Sequence, residues 1–134
     1  MKALSLTQPY AELIKNGTKT IETRSWETDY RGIIYIHASS TKIPKEIKNN
    51  TELMSLTMNK TLDYGMIICS CNLVDCIKMT ADYIQDIKLN HYKEYVSGVY
   101  SPGRYAWVFN NIKVLDNPFK IKGHLGLWNF EHRV

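Results

Sequence analysis

The sequence predicts one α+β domain in which five or six mainly antiparallel strands curl into a small, closed or nearly closed β-barrel, with two to four short helices around it. Three observations carry that expectation. A chain of 134 residues fits one domain of roughly 100–200 residues and leaves no room for a second. With 44% hydrophobic and 22% charged residues, the composition is that of a globular core, which excludes disordered, collagen-like and coiled-coil chains. The apolar segments are short, strand-like runs interrupted irregularly by helical patches, unlike the regular alternation of a doubly wound sheet. Closure into a barrel removes the edges that a long apolar strand would otherwise expose.

Taken in order, Ala3-Leu4-Ser5-Leu6-Thr7 alternates apolar and polar residues and reads as a strand. Thr7 can cap a short helix whose first turn tolerates Pro9, with Tyr10, Leu13 and Ile14 on one face and Asn16-Gly17 as its stop. Residues 19–26 are rich in β-branched types and read as extended. Gly32 to Ala38 is a strongly apolar strand, and a helix can start at Pro44 and run to Met54. Met66 to Cys76 is a long strand, and Thr80 caps a further helix. Residues 91–103, with two glycines and a Ser-Pro-Gly turn, read as a loop. Arg104 to Leu115 then forms a strand, Asn117-Pro118 a turn, and Phe119 to Trp128 a last extended piece.

No apolar run approaches ~18 residues, so no membrane helix is expected. The N-terminal stretch is broken by Pro9 and Glu12 and does not read as a secretory leader. Three cysteines cannot all pair, and Cys69 and Cys71, two apart on one strand, do not suit disulfide geometry. Free thiols in a reducing cytoplasm are the expectation. No CxxC or histidine pair suggests a zinc set. The formal charge of +4 permits an anionic partner without requiring one.

The densest chemistry lies in Gly17-Thr18-Lys19-Thr20-Ile21-Glu22-Thr23-Arg24-Ser25-Trp26. Period two places Thr20, Glu22, Arg24 and Trp26 on one strand face, with Lys19 arriving just before it. A carboxylate accepts, a guanidinium offers a planar fork, an ammonium supplies a point charge and an indole a stacking plane. Together these suit a nucleotide: base edge or ribose to Glu22, phosphate to Lys19 and Arg24, ring to Trp26. The plainer alternative is a structural Glu22–Arg24 pair beside a half-exposed Trp26.

Weaker candidates surround this run. His37 and Ser39 close the strand Gly32 to Ala38, where a lone histidine is more often packed and hydrogen-bonded. Tyr105, Trp107 and Phe109 share a face that core packing explains. Ser101, Gly103 and Arg104 form a turn able to bring amides and a cation to a phosphate. Gln8 and Pro9 open a helix whose free N–H groups can face an anion. Lys42, Lys45 and Lys48 are most simply a solvated face, and His124 and His132 show no ligand spacing.

The run Gly17-x-Lys19-x-x-Glu22-x-Arg24 resembles the signature of ASCH domains, members of the PUA-like superfamily. Gln8-Pro9-Tyr10-Ala11, Arg31-Gly32 leading to Ile36-His37-Ala38-Ser39, Gly103-Arg104-Tyr105-Ala106-Trp107 and Lys122-Gly123-His124-Leu125-Gly126-Leu127-Trp128 resemble further landmarks, in family order. The resemblance implies a PUA-like β-barrel and recognition of RNA, single-stranded nucleic acid or a nucleotide beside the signature strand. It also admits a hydrolase acting on N4-acylated cytidine or on single-stranded RNA, with Lys19 and Glu22 as acid–base residues. In the amidohydrolase branch a lysine matching Lys19 activates a threonine three residues on; here that position is Glu22. No cofactor is implied, and a divalent metal only for a nuclease. A protein-interaction module is the third reading.

Overall fold

The computed structural model describes residues 1–131, so His132 lies outside the described residues. Six strands, β1 (Lys2–Leu6), β2 (Ile21–Arg24), β3 (Gly32–Ala38), β4 (Met66–Lys78), β5 (Tyr105–Lys120) and β6 (Leu127–Asn129), form one sheet in the order β2-β5-β4-β3-β1-β6. Every pairing is antiparallel except β1 with β3. The sheet is consistent with a barrel-like α+β fold but is not closed, because β2 and β6 remain its two edges. β6 covers only Lys2 to Leu4 of β1, which leaves the end of β1 from Ser5 onward without a strand on that side. The first and last parts of the fold meet at this seam: the Met1 amine donates to the Phe130 carbonyl at 3.0 Å, and the Phe130 N–H to the Met1 carbonyl at 2.9 Å.

Five short helices decorate the sheet: α1 (Tyr10–Lys15), α2 (Lys45–Lys48), α3 (Thr51–Ser55), α4 (Ala81–Asn90) and α5 (Tyr92–Val96). This is one above the expected range and two more than the three helices traced along the chain, for two reasons. The helix anticipated from Pro44 to Met54 splits at Asn49-Asn50, because Asn50 leaves the helix and caps the next one through Oδ1 and the Leu53 N–H. The loop anticipated over 91–103 contains the single turn α5. At α1 the cap expected from Thr7 comes instead from Gln8, whose Oε1 accepts the Glu12 N–H at 3.0 Å. Gly17 ends that helix as expected, at φ +85°, with its N–H on the Ile14 carbonyl. Thr80 caps α4 through the Tyr83 N–H.

The turn expected at Asn117-Pro118 is an excursion within one long strand. Register runs from Ile67↔Phe119 to Cys69↔Val114, so β5 spends five residues where β4 spends two, and Pro118 sits where the ladder is interrupted. The main core unites Leu4, Leu6, Ile34, Ile36, Ile68, Trp107 and Phe109. Each such side chain contributes roughly 1.5–3 kcal/mol on burial. Cys69, Cys71 and Cys76 are free thiols, and burial pushes the Cys71 thiol up to about 12.

Candidate functional site

The gap left by incomplete closure is a pocket of about 530 Å³. Its walls come from the uncovered end of β1, from β2 and the bend after it, from the 98–104 turn, and from the 124–126 segment before β6. Arg24 bridges the gap, donating from Nη2 to the Ser5 carbonyl on β1 at 3.1 Å. β2 is in register with β5, Glu22 opposite Trp107 and Arg24 opposite Tyr105, which holds the polar face of β2 toward the pocket.

Glu22 is almost buried, and its carboxylate is fully engaged. Oε1 lies 3.3 Å from Lys19 Nζ and accepts the Thr23 N–H at 3.2 Å. Oε2 accepts from Arg24 Nε at 3.0 Å and stands 2.9 Å from Nη2. These four contacts use the lone-pair positions a carboxylate has. Arg24 Nη1 has no partner among the described residues. Arg104 resembles it: Nε donates to the Val99 carbonyl at 3.0 Å and Nη2 to the Thr23 carbonyl at 3.2 Å, and no carboxylate pairs with it among the described residues. Both guanidiniums line the pocket.

Lys19 is not on the pocket surface. It is wholly buried, and Nζ donates to the Ile21 carbonyl at 2.6 Å and the Ser97 carbonyl at 2.5 Å while facing the Tyr10 ring at 5.3 Å. Burial pushes the Lys19 ammonium below its ordinary range, against the opposing pull of Glu22 and Glu94. Burial likewise raises the Tyr10 phenol, with the Glu22 charge adding to it. Trp26 is 39% exposed on the pocket wall and meets Trp107 edge to face, centroids 4.7 Å apart.

The remaining candidates divide. Ser39 lines the pocket, its Oγ accepting the Thr41 N–H. His37 is buried behind it: Nε2 donates to the Ile121 carbonyl, which can only accept, so Nδ1 accepts from the Ser5 hydroxyl, and Ser5 in turn accepts from Trp128 Nε1. Gln8 is buried and ties α1 to the Asp63 carbonyl, and neither Gln8 nor Pro9 lines the pocket. The Gly103 and Arg104 amides are taken by the Met79 and Ser101 carbonyls, so only the Arg104 side chain is offered. Trp107 and Phe109 are core. Lys42, Lys45 and Lys48 are exposed, while Thr41 and Ile47 of that segment line the pocket. His124 also lines it.

Sequence reasoning missed Glu94, which organises the site from behind. From α5 its carboxylate accepts the Thr20 N–H, the Ile21 N–H and the Thr20 hydroxyl at 2.8–3.0 Å. It also missed Tyr10, Val99 and Leu125 as pocket residues. Among the described residues no three His, Cys, Asp or Glu side chains gather as a metal site, and no helix is long and apolar enough to cross a membrane.

A family model, the ASCH domain, matches residues 4–119. Among curated proteins the chain is similar to activating signal cointegrator 1 of Homo sapiens, with 27% identity over 140 aligned residues that cover 98% of this chain and 22% of that protein. The Mus musculus protein of the same name is 25% identical over the same shares. The chain thus spans about a fifth of the length of these curated relatives.

Proposed function

Because the chain belongs to the ASCH domain family, we propose that its pocket binds a nucleotide or a single-stranded RNA segment, in a reducing cytoplasm. Arg24 and Arg104 contact phosphate, Trp26 stacks on a base, and Glu22 with Lys19 behind it holds Arg24 in place. The observation that carries this reading is the pair of guanidiniums whose Nη1 edges have no partner among the described residues, in one pocket with a half-exposed indole. Charge-assisted contacts to phosphate from planar forks, next to a stacking plane, are what a nucleotide requires. Acid–base chemistry by Lys19 and Glu22 is the weaker reading, since Lys19 Nζ is closed off by two carbonyls and a carboxylate.

Titration with nucleotides and short RNA and DNA oligonucleotides tests it. Arg24→Ala and Arg104→Ala should each weaken binding by about tenfold, the effect of a charge-assisted contact worth ~1.5 kcal/mol. Affinity unchanged in both single variants and in the double variant would sink the proposal. Turnover of N4-acetylcytidine or labelled single-stranded RNA, lost in Lys19→Ala, would replace it with the hydrolytic reading.

A further inference from the structure

The pocket's polarity runs opposite to that of an ordinary ligand cleft. Its floor is charged and enclosed, with the Glu22 side chain 10% and the Arg24 side chain 22% exposed. Its mouth is apolar and open, formed by Trp26, Val99 at 54% and Leu125 at 99% exposure. A single exposed leucine is unremarkable. Here three large apolar side chains from three separate segments line one opening.

Resting on the nucleotide reading above, we propose that the ligand enters phosphate first: a terminal phosphate sits on Arg24 at the floor and on the half-buried Arg104 of the same pocket, while its base stays at the mouth between Trp26 and Leu125 and is not read. The floor is suited to phosphate, because each guanidinium keeps an Nη1 edge without a partner among the described residues, while the Glu22 carboxylate is fully engaged. A base turned inward brings N–H groups that need acceptors, and both Glu22 oxygens already hold two donors each. The mouth is suited to any base, since every base has a π-face and stacking is sequence-tolerant.

Both jaws of the mouth are positioned by the fold. Trp26 is held by the edge of Trp107, whose Nε1 also donates to the Trp26 carbonyl at 3.2 Å. Leu125 rides on a segment pressed down at Gly123, where a Cβ would come within 2.6 Å of His37 Cε1 and Ser5 Oγ. Gly126, at φ +66°, brings that segment to van der Waals distance from the Trp26 ring, at 4.0 Å for its Cβ position. The backbone next to Leu125 is thereby set against the indole.

Equilibrium titration of the full chain with the four nucleoside 5′-monophosphates, the four nucleosides and inorganic phosphate tests the orientation. The expected result is four monophosphates within about threefold of one another and nucleosides weaker by about tenfold or more. Leu125→Ala, at a fully exposed position that leaves the fold intact, should weaken the monophosphates several-fold and inorganic phosphate not at all. A tetranucleotide losing affinity when its 5′-phosphate is removed identifies a strand end as the ligand. An unchanged tetranucleotide, with monophosphates still preferred over nucleosides, identifies the free nucleotide; both outcomes support a phosphate seated at the floor. Nucleosides binding as tightly as monophosphates, or one base preferred more than about tenfold, would overturn the orientation and leave the nucleotide reading standing. No binding by any nucleotide, nucleoside or oligonucleotide would overturn that reading itself.

Discussion

His37 shows how a polar residue next to a site can serve the fold instead. Its ring is closed on both sides, by Ser5 and by Ile121, and burial lowers its proton affinity below the ordinary histidine value of 6.5, with the Ile121 bond opposing and His124 reinforcing the shift. The folded imidazole therefore stays neutral to lower pH than the unfolded one. As pH falls below 6.5 the unfolded chain takes up the proton first, so stability present above 6.5 is lost on acidification. Urea unfolding at pH 7.5 and 5.5 should show a lower midpoint at 5.5, and His37→Gln should flatten that difference. An equal loss in the variant would assign the pH dependence elsewhere. Lys19 carries the complementary lesson about reading sequences. Its spacing to Glu22 made the pair legible, but its complete burial depends on the Ser97 carbonyl, 78 positions away. No local period reports such a contact. The same holds for Glu94, which sits between a lysine and a tyrosine in Tyr92-Lys93-Glu94-Tyr95 with nothing to indicate Thr20 and Ile21 as its partners.

Among the elements, α5 acts as a clamp on the entry to β2. Glu94 accepts the Thr20 and Ile21 backbone N–H groups, and it also takes the Thr20 hydroxyl. Glu94→Ala leaves those donors unpaired in a buried place, at a cost of about 2–4 kcal/mol for lost bonds to a charged acceptor. Denaturant unfolding measures that loss. Hydrogen exchange should quicken at Thr20 and Ile21 before it does in β4; equal protection with the wild type would mean that β2 holds without the clamp. Strand signals were the most legible of the elements, since alternation and β-branching placed β1, β3 and β4 closely. The breaks were harder. Asn49-Asn50 divides a helix because one asparagine side chain competes for a backbone N–H, and Asn117-Pro118 makes an excursion because β4 continues alongside it. At the first place a local side-chain cap, and at the second tertiary pairing, decided what the signal became.

For the whole molecule, the charge of +4 takes its meaning from where the cations are. Lys19 is neutralised from within, Arg24 is shared with Glu22, and Arg104 faces the pocket unpaired among the described residues. A ligand held there displaces counterions from one or two phosphates. The logarithm of affinity should therefore fall with the logarithm of salt at a slope of about −0.7 to −1.4, and oligonucleotides longer than the pocket should not steepen it. Titrations between ~50 and ~200 mM salt measure this. A slope near −3 or beyond would bring in Lys42, Lys45 and Lys48 as a strand track.

The seam where Met1 and Phe130 exchange hydrogen bonds has a meaning beyond stability. A polypeptide entering this fold leaves it at the point of entry. In any longer chain such a domain hangs from a single stalk, with the segments before and after it drawn side by side. Rotation about that stalk would swing the pocket, set at the other end of β1, without changing the distance between whatever flanks it.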